Sequence, residues 1–448
     1  MLNRIKFLVF LFLLSSIAEF SHAQGNTDTE IYHFTLTECM RYALKNQPAM
    51  HQSMIDEAVA HTNKNIALAG WLPQVNGYAN YQYSFQLPTG FSTVNGVLVG
   101  PAQSGVKNIS IPQVNVTQNI FSPDLFISNK TARLGMEAAG ESTASTKIEL
   151  VSNVSKAFYD VLLSLEQINV YKEDTARLIK NRSDAYNRYV SGISDKVDYK
   201  QATISLNNSM SQLKTAIEAV DAKYATLRAL MGFSNNKKLV VVFDTAQMMQ
   251  DIYVDTLEPL NISKRIEFKQ LMTARMIQHE TTMYYQLAAV PSVSGFYNYA
   301  HEFESNNTSD LLSKAYPYSN IGLQLNVPIF TGMKRLENVK KAKLQEERID
   351  WDEVNLKLSI YAQYMQALAS YKSNLYYLHE QNENVVMARE VYDIVKLQYS
   401  EGVKAYLDVI IAESDLQTSE INYQNALFQV LASKVNLQKA MGNIQTEF

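Results

Sequence analysis

The chain has 448 residues, 19% of them charged, and a formal net charge of −4 at pH 7. That balance argues against a nucleic-acid partner, and a single cysteine, Cys39, excludes an intrachain disulfide framework. Only 10 prolines and 16 glycines occur, the latter about half of the ~7% of average usage, so long stretches are free of helix breakers.

Residues 1–23 read as a signal peptide. Arg4 and Lys6 form a positive start, Phe7 to Ala18 an apolar stretch, and Ser21-His22-Ala23 a small-x-small cleavage site. The stretch is too short for a membrane helix, and no later run reaches the ~18 apolar residues one needs. The expectation is an exported chain with no helical anchor and a mature net charge of about −5. Cys39 does not follow the cleavage site, so it is no lipid-anchor cysteine and reads as a small buried hydrophobe.

A first unit spans residues 24–232. Thr35-Leu36-Thr37-Glu38 is a capping-box pattern that opens a helix of about ten residues, and a second helix covers roughly 48–69. Residues 73–87 then alternate, with Val75, Ala79, Tyr81, Tyr83, Phe85 and Leu87 against Gln74, Asn76, Asn80, Gln82, Ser84 and Gln86. Such alternation is the signature of a strand with one apolar face. A polar loop is expected near 88–107. A second strand, 108–121, changes phase near Pro112, which predicts a bulge or an edge. Ser122-Pro123-Asp124 supplies an N-cap, a proline at the first helical position and an acid in the first turn. No proline follows until after Glu258, and Val151, Val154, Phe158, Val161, Leu165 and Ile168 form a heptad seam. A long helix over about 123–190 would reach roughly 100 Å. Gly192 marks a hairpin tip, a return helix covers about 194–231, and Gly232 stops it.

Residues 233–259 form a linker with a short strand candidate at Leu239–Phe243. A second unit, 260–442, repeats the order, and 443–448 is a tail. It has a helix over about 263–288, strands over about 291–303 and 318–330 joined by a loop near 304–317, a long helix over about 333–400, the tip Gly402 and a return helix over about 404–441. Its seam is Trp351, Val354, Leu358, Tyr361, Met365 and Leu368. Residues 158–232 are echoed at a constant offset of 210 by 368–442. Tyr189 pairs with Tyr399, Asp198 with Asp408, Ala202 with Ala412, and Met231-Gly232 with Met441-Gly442. The repeat is too long for a solenoid unit and reads as one supersecondary module, duplicated.

Each strand is long enough to cross an outer membrane, which takes ~9–11 residues. The apolar, tyrosine-rich face and the Gln/Asn/Ser face match the lipid-out, water-in pattern of a membrane barrel. Four strands cannot close a barrel, and an open edge in lipid is not viable. The barrel must be shared: two chains would supply eight strands, three would supply 12.

The order of elements resembles the TolC family of outer membrane efflux proteins. The match rests on Leu36-Thr37-Glu38-Cys39-Met40-Arg41-Tyr42-Ala43-Leu44-Lys45-Asn46-Gln47-Pro48, on Phe330-Thr331-Gly332, on Tyr399-Ser400-Glu401-Gly402 with Leu407-Asp408-Val409-Ile410 and Ala412-Glu413, and on Asn436–Gly442. It covers essentially the whole mature chain. The resemblance implies a mainly helical fold with membrane strands: a homotrimer with a 12-stranded barrel in the outer membrane of a Gram-negative cell and a helical α-barrel across the periplasm. It implies a channel for tripartite efflux or type I secretion, with a periplasmic adaptor (membrane fusion protein) at the hairpin tips and an inner-membrane RND, ABC or MFS pump. Outer membrane lipid surrounds such a barrel.

No catalytic constellation, cofactor loop or metal set stands out; His51 and His61 have no ligand-type neighbours. The tips are the candidate site. By position, the family's pore closure falls on Tyr399, Lys404 and Asp408, with Ile411 where a second acid would stand. Asp408 and its echo Asp198 are candidates for gating, but because the acid occurs in both tips the favoured reading is that they complete the N-termini of their return helices; the two roles are compatible. Gly192 and Gly402 make the turns. The competing readings are an exported coiled-coil scaffold or a periplasmic adaptor, both without a pore; amphipathic strand hairpins speak against the scaffold.

Overall fold

In a computed structural model, the structure describes residues 31–94, 96–234, 237–243 and 252–448. The signal peptide expected over 1–23 lies outside the described residues. The chain begins with β1 (Ile31–Phe34) and α1 (Leu36–Asn46). The capping box of α1 is reciprocal. Glu38 Oε2 accepts from the Thr35 amide at 2.8 Å, and Thr35 Oγ1 from the Glu38 amide at 3.4 Å. α2 (Pro48–Ala69) leads into β2 (Gln74–Tyr83). A hairpin of β3 (Thr89–Val94) and β4 (Val97–Gln103) follows, inside the stretch expected as a polar loop.

β5 (Asn108–Phe121) runs into α3 (Pro123–Val190), capped by Ser122. α4 (Lys196–Met231) returns, and Gly232 ends it with φ +65°. β6 (Lys238–Val241) pairs in parallel with β1, Ile31 opposite Lys238. The second unit holds α5 (Ile266–Leu287), β7 (Ser292–Ser305), β8 (Ala315–Asn326), α6 (Lys334–Ser400) and α7 (Tyr406–Met441).

Four strands form one antiparallel sheet in the order β2-β5-β7-β8. β5 is therefore an interior strand, contrary to the edge allowed for at Pro112. The ladder to β7 lapses at Ile111 and Pro112 without a change of register, because proline has no N–H to donate. The bulge comes later, between Asn119 and Phe121. The pairing sorts the side chains into two faces. One carries Val75, Val116, Tyr297 and Ile321 side by side. The other carries Asn76, Asn115, Asn298 and Asn320 in a row across all four strands. Asn298 Nδ2 donates to Asn320 Oδ1 at 2.9 Å, and Asn115 donates to Asn298. Among the described residues both outer strands, β2 and β8, keep one side without a partner strand. Strand 73–87 stops early, at Tyr83, and the apolar alternation of 318–330 runs past the end of β8 through Val327 and Ile329.

The helices pack around α3, which touches α1, α2, α4, α5 and α7; α6 packs mainly on α5 and α7. The α3 seam is accordingly buried: Val154 and Val161 are fully enclosed, with Val151 and Phe158 beside them. The upper seam of α6, which does not lie at the repeat offset from the α3 seam, is not. Trp351, Val354, Leu358, Tyr361 and Met365 are all exposed, with Trp351 at 66%. Two seams of the same period thus face different surroundings, one inside the chain and one outside it.

The core joins α1, the middle of both hairpins and the small sheet. Cys39 is fully buried there, and desolvation pushes its thiol up to about 12, so it is inert. Tyr371 of α6 ties down the linker: its hydroxyl donates to Ile252 O at 2.9 Å and accepts from the Val254 amide at 3.1 Å. Among the described residues no helix is long and apolar enough to cross a membrane, which says nothing of the strands.

Candidate functional site

The two tips close by the same backbone geometry. In the first, the Gly192 amide donates to Tyr189 O at 3.0 Å and the Ile193 amide to Arg188 O at 2.9 Å. In the second, Gly402 donates to Tyr399 O at 3.1 Å and Val403 to Gln398 O at 2.9 Å. These bonds satisfy the orphan carbonyls of the last helical turn. They require a left-handed residue, and Gly192 (φ +73°) and Gly402 (φ +77°) supply it.

The side chains differ. In the second tip the Asp408 carboxylate reaches back and accepts from the Ala405 amide at 3.1 Å, so it completes the start of α7. Lys404 Nζ lies 4.0 Å from Asp408 Oδ1, a loose pair of exposed groups. In the first tip Asp198 does not cap. Asp195 is the N-cap of α4 and accepts from the Val197 amide at 3.4 Å. The reason is local: position 195 is an acid, whereas its echo is Ala405, which has no acceptor. Asp198 is left in the first turn, its carboxyl raised by burial and by Asp195, against a lowering pull from Arg188.

Tyr399 is half-buried against Tyr406, at 5.3 Å between ring centroids, above a small core that includes Ala185, Ala202, Val409 and Leu416. Burial raises its hydroxyl, and Asp198 raises it further. Arg188 of the first hairpin sits 4.8 Å over the Tyr399 ring and donates from Nη1 to Ser400 O at 3.0 Å. The structure thus brings Tyr399 and Asp198 together through Arg188, and leaves Lys404 and Asp408 exposed at the second tip.

Sequence reasoning missed Arg188, and missed a larger cluster two to four turns further along the hairpins. Arg177 of α3 donates from Nε to Glu413 Oε1 at 2.7 Å and from Nη2 to Glu420 Oε2 at 3.3 Å. Both acids belong to α7 and are nearly inaccessible. Arg389 meets Glu420 at 2.5 Å, and Asn181 donates to Glu413 at 3.1 Å and to Tyr392 at 3.2 Å. Asp174, also buried, accepts from Ser209 at 2.5 Å and from Gln417 at 2.8 Å. Burial pushes its carboxyl up to about 6. A signal did exist in the sequence. In the 210-residue echo Arg177 faces Met387, Arg188 faces Gln398, Glu413 faces Thr203 and Glu420 faces Met210. A charge opposite an uncharged residue, inside an otherwise matched stretch, marks where the two hairpins do different work.

A sheet of membrane-length strands with two open edges, continued by two helical hairpins that are clamped to each other, defines the protomer of a channel joining a β-barrel to a helical tunnel. The chain belongs to the outer membrane efflux protein family, whose model matches residues 40–233 and 283–443. It is 21% identical over 436 residues to the outer membrane protein TolC of Vibrio cholerae, covering 95% of each chain. It is 20% identical to TolC of Escherichia coli, over 92% of this chain and 83% of that one. Among solved structures, CusC superposes with a TM-score of 0.76 at 16% identity over 94% of this chain and 95% of that one. The open-state MtrE channel of Neisseria gonorrhoeae gives 0.68 at 16% identity, over 91% and 88%. The protein is an outer membrane channel of an efflux system and not an enzyme. The pore-less scaffold and the adaptor are thereby set aside.

Proposed function

We propose that three copies of this chain close a single 12-stranded barrel and a single 12-helix tunnel. The observation that carries this is the four-stranded sheet with an unpaired edge on both β2 and β8. Unpaired backbone groups in hydrocarbon cost several kcal/mol each, so the edges must meet edges of other copies. Two copies would give eight strands, whose interior side chains fill the lumen; three give the smallest open barrel. The exposed α6 seam, from Trp351 to Met365, supplies the helical part of the same contact.

In this assembly the second-hairpin tips, with Tyr399, Lys404 and Asp408, narrow the periplasmic mouth. The first tip contributes Asp198, and the turns at Gly192 and Gly402 present the docking surface for a periplasmic adaptor. The adaptor couples the channel to an inner-membrane pump of the RND, ABC or MFS class. The modules divide as 24–232 and 260–442, joined by 233–259.

The test is the mass of the detergent-purified protein together with its conductance in planar bilayers. A trimer is expected, with cation preference that falls in Asp408→Asn while the trimer holds. Asparagine keeps an acceptor for the Ala405 amide, so this change removes charge and preserves the cap. A purified monomer or dimer that still conducts would overturn the three-copy barrel. Unchanged selectivity in Asp408→Asn would remove Asp408 from the gate.

A further inference from the structure

We infer that the start of α6 is a docking strip for anionic phospholipid in the periplasmic leaflet of the outer membrane, formed by Ile329, Phe330, Lys334, Arg335, Lys340 and Lys341. The inference rests on the membrane reading of the sheet and adds a specific lipid contact to it.

The apolar part continues the lipid-facing side of β8. Ile321, Leu323 and Leu325 are exposed on that face, and the alternation carries on through Val327 to Ile329 after the strand has ended. Ile329 is 91% exposed and Phe330 79%. Apolar side chains continuous with a membrane face, just beyond its last strand residue, occupy the headgroup boundary.

The charged part carries an excess of cations against the preference of its own helix. The N-terminus of a helix carries partial positive charge and favours acids. α3 obeys this, with Ser122 as cap and Asp124 in its first turn. α6 is predominantly cationic there: it opens with Lys334-Arg335, continues with Lys340-Lys341 around a single first-turn acid, Glu337, and has no capping side chain. Its N-cap is Met333 at φ +65°, the only non-glycine with positive φ among the described residues. Strain of this kind persists where something outside the local chain requires it. The ion pairs of α6 begin lower, at Glu346, Arg348 and Asp350, and leave the four upper cations unpaired among the described residues. At 1.5 Å per residue Lys341 lies about 10 Å below Lys334, within the Debye length of ~8 Å plus its own side-chain reach. An uncapped helix start, four free cations and an apolar rim together match a phosphate headgroup with its acyl chain.

The experiment reconstitutes the full mature chain in vesicles of phosphatidylcholine, with and without one third phosphatidylglycerol. The wild-type unfolding temperature should rise with phosphatidylglycerol, and K334Q/R335Q/K340Q/K341Q should lose at least half of that shift while keeping trimer and conductance. In parallel, Phe330→Trp should be quenched by shallowly brominated phosphatidylglycerol more than by the deeply brominated lipid, after subtraction of the wild-type signal. An undiminished lipid shift in the quadruple variant, or no quenching at position 330, overturns the inference. Loss of the trimer in both lipid mixtures also overturns it, because a neighbouring protomer would then be what covers the strip. Failure of the membrane reading itself looks different: no insertion and no conductance for the wild type in either mixture.

Discussion

The two hairpins descend from one module, yet α3 is a central helix and α6 a peripheral one. Both carry apolar seams of the same period, but the α3 seam is enclosed by its own chain, whereas α6 buries Tyr371 and Leu378, the echoes of Val161 and Ile168, and leaves the stretch from Trp351 to Met365 open. The difference teaches that heptad spacing specifies that a partner exists and not which chain supplies it. In the proposed assembly both hairpins build the protomer core, and the open stretch of α6 joins one protomer to the next. The clamp between the hairpins is ionic, and its charges are the places where the duplicates diverged.

The sharpest break of that clamp is Arg177→Ala. It leaves buried Glu413 without a cation and buried Glu420 with Arg389 alone, and should cost about 3–5 kcal/mol in chemical unfolding. Restoring the counterparts from the opposite repeat, Arg177→Met with Glu413→Thr and Glu420→Met, should recover most of the loss, because the cost lies in the unpaired charges. No recovery in the triple variant would mean that packing and not charge holds the hairpins together.

A pair of leucines separates the two seams. Leu162→Ala, in the enclosed helix, should lower protomer stability by about 2–5 kcal/mol. Leu358→Ala, on the open seam, should leave the protomer fold intact and weaken assembly by roughly 1.5–3 kcal/mol per buried side chain. Far-UV circular dichroism with native mass measurement distinguishes the two; equal effects on folding would erase the contrast.

The smallest expected effect depends on pH. Asp174 titrates near 6 in the fold against an ordinary 3.8. Its folded pKa is raised, so its favourable contribution is complete below pH 3.8 and is lost as pH rises through about 6. Asp174→Asn fixes the neutral form. It should raise the unfolding temperature above pH 6 and make no difference below about pH 4. A gain that is the same at both pH values would assign the effect to hydrogen bonding with Ser209 and Gln417.

Much of this architecture was readable in the residues. Proline-free blocks with capping signals place the long helices, and period-two alternation places all four membrane strands, because both patterns reflect local chemistry sustained over many residues. β1 was not readable: Ile31–Phe34 is four residues long and is defined by pairing with β6, two hundred residues away. The β3–β4 hairpin was missed because Gly90, Gly96 and Gly100 break its apolar residues into short runs. At the tips, Gly192 and Gly402 follow from backbone geometry that only glycine adopts without strain. The exchange of Asp195 for Asp198 as cap turned on a single position, Ala405, whose silence in the second tip hid the role of its acidic echo. Arg188 and Arg177 act across the hairpins, and a contact between segments more than two hundred residues apart leaves no local pattern.

The asparagine row on the polar face of the sheet bears on transport itself. Asn76, Asn115, Asn298 and Asn320 stand side by side, one per strand at a spacing of about 4.8 Å. A carboxamide donates as readily as it accepts. The row runs across the strands, so with this face turned inward a solute would meet it as one band of amides around the wall, a neutral ring that can exchange hydrogen bonds with cargo of either sign. Charge enters that face of β7 only further along, at Glu302 and Glu304.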